Sequence, residues 1–133
     1  MESVVFDAQP LVALLTGEPR AKEVRDRIAG YRGSLRVVIS SVNWCEVLCV
    51  LRRHRDQHAA AAASALLGRI PLEVVDATEE LATTAAEFKA RFGLGLGDSF
   101  AAALAATLGA PLLTGDADFL PLAEQGLRVE WVG

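Results

Sequence analysis

Residues 93–119 read GLGLGDSFAAALAATLGAPLLTGDADF. A glycine-rich turn leads into an Ala/Leu-rich segment with strong helix propensity, and Gly109 stands where that helix should stop. The next run, APLLT (110–114), has no polar face. A strand that is apolar on both sides belongs to a sheet covered on both sides, and helix–Gly–strand is one repeat of such a fold. Glycine-rich loops that cradle phosphate need other spacing: GLGLGD lacks G-x-G-x-x-G, follows a helix, and has no Gly-Lys-Ser/Thr. Its glycines are expected to turn the chain between two helices and deliver Asp98 to the start of the second. An acid then stands where a phosphate loop would present backbone amides.

The same pattern extends in both directions. Strand-like runs are SVVFD (3–7), LRVVIS (35–40), PLEVV (71–75), APLLT (110–114) and LRVEWV (127–132). Between them lie a helix from PLVALL to Gly17, another over 18–30 ended by Gly30, and VNWCEVLCVLRRHR with Ser41 as its N-cap. HAAAAASALLGR is a helix closed by Gly68, Thr78 caps one that runs to about Arg91, and DADFLPLAEQG is a short helical link. Strands alternating with helices predict an α/β fold on a mostly parallel sheet. No repeat or linker divides the 133 residues, so 1–133 is expected to be one domain.

A 52% hydrophobic composition excludes a disordered chain. Mean hydropathy of +0.31 suggests doubly covered strands or a large buried interface. No apolar run approaches the roughly 18 residues a membrane span needs. MESVVFDAQP carries neither the basic start nor the apolar centre of a secretion signal, so a cytoplasmic location is expected. The net charge of −4 is unevenly spread: nine of thirteen basic residues lie between Arg20 and Arg55, with only three acids. That segment could guide an anionic polymer despite the acidic total. Cys45, Cys49, His54 and His58 share a four-residue spacing. At about 100° per residue, however, the histidines fall about 180° and 220° from Cys45 on a continuous helix and cannot close one metal site with the thiols. Buried thiols and surface histidines are expected instead.

Ligands of open α/β sheets bind outside the carboxyl ends of the strands. Asp7 ends the first strand, Asp116 follows APLLT closely, Asp98 opens the helix before that strand, and Glu46 lies early in the helix after LRVVIS. Each acid has a plain structural use as a cap or turn former. Clustered together, they repel one another and need a cation, and hard ions such as Mg²⁺ or Mn²⁺ favour such oxygen ligands.

The order VVFDAQPLVALL, SSVNWCEVLCVLRR, LGLGDSFAAALA, LLTGDADF resembles the PIN-domain ribonucleases, most closely the VapC-type toxins of toxin–antitoxin pairs, over essentially the whole chain. The resemblance implies a three-layer α/β/α sandwich with a five-stranded parallel sheet, and Mg²⁺- or Mn²⁺-dependent endonuclease action on RNA. It also implies a homodimer and a cognate VapB-type antitoxin that covers the active site. By motif, Asp7, Glu46, Asp98 and Asp116 are the catalytic and metal-binding acids, with Asp118 as a further possible ligand. Spacing from Thr114 favours Asp116 over Asp118, and Thr114 and Gln9 support the site. Two departures stand out: Gln9 replaces a shorter Ser or Asn, and Ser99 stands where related toxins often carry Arg.

The mechanism expected is in-line attack of a metal-activated water on the scissile phosphorus, leaving 5′-phosphate and 3′-hydroxyl ends. It needs no histidine base. A phosphoryl-transfer enzyme with an Asp nucleophile would want a DxD at the first strand or a functional late Lys, and FDAQP and LLTGD supply neither. A non-catalytic binding module should lack at least one of the four acids. An RNA-processing nuclease without an antitoxin fits the same residues, and the small unadorned domain favours the toxin.

Overall fold

The structure, a computed structural model, describes residues 2–29, 35–53 and 57–132. The elements run β1 (Glu2–Phe6), α1 (Ala8–Thr16), α2 (Ala21–Ala29), β2 (Leu35–Ser40), α3 (Ser41–Arg53), α4 (Gln57–Leu67) and β3 (Leu72–Val75). They continue with α5 (Glu79–Phe92), α6 (Leu96–Leu108), β4 (Leu112–Thr114), a 3-10 turn (Ala117–Phe119), α7 (Leu120–Glu124) and β5 (Val129–Trp131). All five strands are parallel, in the order β3-β2-β1-β4-β5.

Two-residue periodicity sorts the apolar strand residues between two cores. Val4, Phe6, Val37, Ile39 and Leu113 face a layer that includes Leu11 of α1, Val24 of α2, Val47 of α3 and Ala63 of α4. Val5, Val38 and Leu112 face Leu81 and Ala85 of α5, Leu104 of α6 and Leu122 of α7. The result is the expected three-layer α/β/α sandwich. Each Val or Leu so enclosed contributes about 1.5–3 kcal/mol relative to an exposed one. Helix α6 is enclosed without a break from Ser99 to Ala105, as a helix apolar on all sides must be. Its small alanines let it lie close to its neighbours.

Strand order reverses at β1: the chain builds outward to β3, then crosses through α5 and α6 to place β4 on the other side of β1. This switch point opens a crevice beyond the carboxyl ends of β1 and β4.

Some local expectations change. The hydroxyl of Ser40, not Ser41, caps α3 by accepting from the Asn43 amide at 3.0 Å. Ser41 accepts from the Ala77 amide instead, tying α3 to the segment after β3. Helix α6 starts at Leu96, two residues earlier than expected, and its N-cap, Gly95, makes no side-chain cap bond. Asp98 therefore lies in the first turn rather than capping it. Cys45 and Cys49 are exposed free thiols, not buried ones. The buried face of α3 carries Asn43 and Val47, with Trp44 and Leu51 packed beside them. The two cysteines lie about 200° from Val47, on the opposite face. Glu46 is exposed as well, although its sequence neighbours are apolar. His58 is exposed, while Gly30 and His54 lie outside the described residues.

Candidate active site

Asp7 stands where β1 gives way to α1, and its side chain is only 4% exposed. One carboxylate oxygen accepts from the Ala8 amide at 2.9 Å and caps α1. The other accepts from the Thr114 hydroxyl at 2.8 Å. Burial pushes this carboxyl up to about 6; those two hydrogen bonds pull it down, and the charges of Glu46 and Asp116 add to the rise. Buried Thr114, at the end of β4, also accepts from the Asp116 amide at 3.1 Å. One hydroxyl thus joins the ends of β1 and β4 and sets the turn that carries the next acid.

Asp116 accepts from the Asp118 amide at 2.9 Å. Asp98 comes from the opposite helical layer. Burial raises its carboxyl to about 7, followed by the charges of Asp7 and Asp116, a hydrogen bond shared with Asp116, and the charge of Glu46. Oxygens of Asp98, Asp116 and Asp118 all lie within 4.8 Å of one another. Both acids of GDAD therefore join the group, Asp116 half-buried and Asp118 exposed.

Glu46 reaches the cluster from α3 through two residues whose roles were not evident from the sequence. Fully buried Asn43 donates at 2.9 Å to a Glu46 carboxylate oxygen and at 2.9 Å to the Gly97 carbonyl, while its own oxygen accepts from Ser40 at 2.6 Å. Gly97 provides the room, since a Cβ there would meet the Glu46 carboxylate carbon at 2.7 Å. A polar amide three residues before Glu46, inside an apolar helix, was the available signal: a buried amide needs partners. Gln9 is exposed, and among the described residues no hydrogen bond joins it to the acids.

Asp7, Asp98 and Asp116 are thus brought together, with Asp118 beside them and Glu46 close enough to shift its neighbours. The donors are hard carboxylate oxygens, and burial together with neighbouring charge raises Asp7 and Asp98, an arrangement that suits a divalent cation of the Mg²⁺ type. A cavity of about 370 Å³ lined by Phe88, Phe92, Leu122 and Arg128, among others, lies at the opposite end of the sheet. None of the described residues lining it carries a carboxylate, in contrast to the acid crevice.

Solved structures share this architecture. VapBC2 of Rickettsia felis, bound to a DNA fragment from its promoter, has a TM-score of 0.79 at 15% identity, covering 98% of this chain and 99% of that one. VapC20 of Mycobacterium tuberculosis, a sarcin-ricin loop cleaving toxin, gives 0.74 at 22% identity, covering 98% and 99%. VapBC-1 of nontypeable Haemophilus influenzae gives 0.73 at 18%, covering 97% of each chain. At such identities the likeness concerns the fold. No curated protein sequence is significantly similar to this chain. The family model for the PIN domain matches residues 4–125, from within β1 to just past α7. Nearly the whole chain takes part in that match, and the chain belongs to the PIN domain family.

Proposed function

We propose that this chain is a VapC-type toxin: an endoribonuclease that uses Mg²⁺ or Mn²⁺ to hydrolyse RNA phosphodiester bonds and is held in check by a cognate VapB-type antitoxin. The observation that carries the reading is the gathering of Asp7, Glu46, Asp98, Asp116 and Asp118 at the sheet's switch point, with two carboxyls pushed up by burial and mutual charge. These acids would hold a divalent ion, which when bound would supply Lewis-acid activation of a water and offset charge on the phosphate. The protein's own part is positional. Thr114 and the Ala8 amide fix both oxygens of Asp7, Asn43 holds Glu46, and Asp98 and Asp116 would hold the cation between them.

Partner binding is supported by apolar side chains left at the surface: Leu96 is 62% exposed, Leu120 51% and Val50 37%. Such surface suits a second copy of the chain and an antitoxin segment. No described helix is long and apolar enough to cross a membrane, and the proposed site of action is the cytoplasm.

The test is incubation of wild type and Asp7→Asn with total cellular RNA, with and without Mg²⁺, followed by mapping of new 5′ ends. Reproducible cuts that need both the ion and Asp7 are expected. Cleavage that persists in EDTA or in the variant would rule this chemistry out.

Gly97→Ala offers a finer check. Its Cβ would stand 2.4 Å from a Glu46 carboxylate oxygen, forcing that group aside. The Glu46 end is exposed and can move, so stability should change by less than about 1 kcal/mol. Cleavage, by contrast, should fall by about 10- to 100-fold. Parallel melting curves and initial rates would separate the two effects.

A further inference from the structure

Among the basic residues of the segment 20–55, several already have acidic partners: Lys22 pairs with Asp26, Arg27 with Glu130 and Arg36 with Glu73. Arg32 and Arg55 lie outside the described residues. Arg20 differs. It sits in the turn between α1 and α2, half-buried, and forms no salt bridge among the described residues. Its Nη1 lies 3.0 Å from where a Cβ on Gly115 would be. Gly115 is the exposed link between Thr114 and Asp116. The same Cβ would stand 2.4 Å from the Val132 carbonyl oxygen. The Val132 carbonyl, just past β5, leaves no room for a side chain on Gly115, and the Arg20 guanidinium lies against the same acid-bearing turn.

Electrostatics gives this placement a purpose. The crevice holds five carboxylates, and two divalent ions would supply only four positive charges, leaving the site negative towards an approaching polyanion. A cation at the rim, not spent on a carboxylate, offsets that repulsion where the strand enters. The guanidinium fork also matches phosphate geometry. We infer that Arg20 is a positioning residue whose guanidinium holds an RNA backbone phosphate beside the bond to be cut. The inference rests on the nuclease reading above.

The test uses an unstructured, fluorescein-labelled oligoribonucleotide and Asp98→Asn protein, in which cutting is suppressed. Affinity is followed by anisotropy across a KCl series, with and without Arg20→Met. Loss of one phosphate contact should weaken binding at low salt by roughly three- to tenfold and flatten the slope of log affinity against log salt by about 0.7. Arg20→Lys, which keeps the charge, should retain the slope. An unchanged slope in Arg20→Met overturns the inference, even if affinity drops, because the side chain then only props the Gly115 turn. If Arg20→Met melts early, Arg20→Gln provides the same neutral comparison. An unchanged RNA slope alongside lost affinity for an acidic peptide assigns the cation to a protein partner and overturns the inference as well. If the Asp98→Asn parent binds no RNA and wild type cuts none, the nuclease reading itself fails, and Arg20's role with it.

Discussion

Asp98→Asn is expected to lower RNA cleavage by at least about 100-fold, on the order of 2.7 kcal/mol of transition-state stabilisation, while making the metal-free protein more stable at pH 8. The opposite signs have one cause. The Asp98 carboxyl is raised from 3.8 to about 7, so in the absence of a cation the folded state favours its protonated form. Stability from that proton is complete below the ordinary value of 3.8 and is lost as pH rises through about 7. Asp7, raised to about 6, follows the same course slightly earlier. Metal-free wild type should therefore melt at lower temperature at pH 8 than at pH 5. Asparagine cannot ionise, and its gain at pH 8 should be about 1–2 kcal/mol once solvent screening at this partly exposed group is allowed for. Added Mg²⁺ should raise the wild-type melting temperature at pH 8 and have much less effect on the variant. Melting curves at the two pH values, with and without Mg²⁺, check each sign.

Asn43→Ala should harm both stability and activity. The amide is fully buried and joins Ser40 at the end of β2, Glu46 on α3 and the Gly97 carbonyl in the first turn of α6. Its removal leaves buried polar groups without partners, at a cost of about 2–3 kcal/mol, which corresponds to a fall in melting temperature of roughly 8 °C. Glu46 loses its fixed donor, and cleavage should drop by about 10- to 100-fold even at temperatures where the variant is folded. Asn43→Asp distinguishes the roles. It can still accept from Ser40 but cannot donate to Glu46 or Gly97, and it adds a negative charge beside the cluster. An Asp variant as active as wild type would show that Asn43 does not position Glu46.

The sheet could be read from the sequence because its signals are local. Runs such as VVF and LLT are apolar on both faces, and Gly17 and Gly109 end α1 and α6 as expected. The acids were visible because a carboxylate at a strand end or in a first helical turn has few places to point. What the sequence did not reveal depends on contacts between distant segments. Ser40 and Ser41 are chemically alike, and only their partners, Asn43 and Ala77, tell cap from tether. Cys45 and Cys49 looked like core residues by type, but α3 presents the Asn43–Val47 face to the interior. Gly97 read as part of the turn between two helices, whereas it leaves room for a side chain 51 positions earlier, Glu46. Asn43 and Gly97 become legible together only when α3 and α6 are placed side by side.

The most direct measurement is anomalous diffraction from a crystal of the wild-type protein soaked in Mn²⁺. Convergence of the acids predicts a peak bounded by oxygens of Asp98 and Asp116, within reach of Asp7, and no such peak in Asp98→Asn crystals soaked in the same way. A well-ordered crevice with no manganese in wild type, or the same peak in the variant, would contradict it.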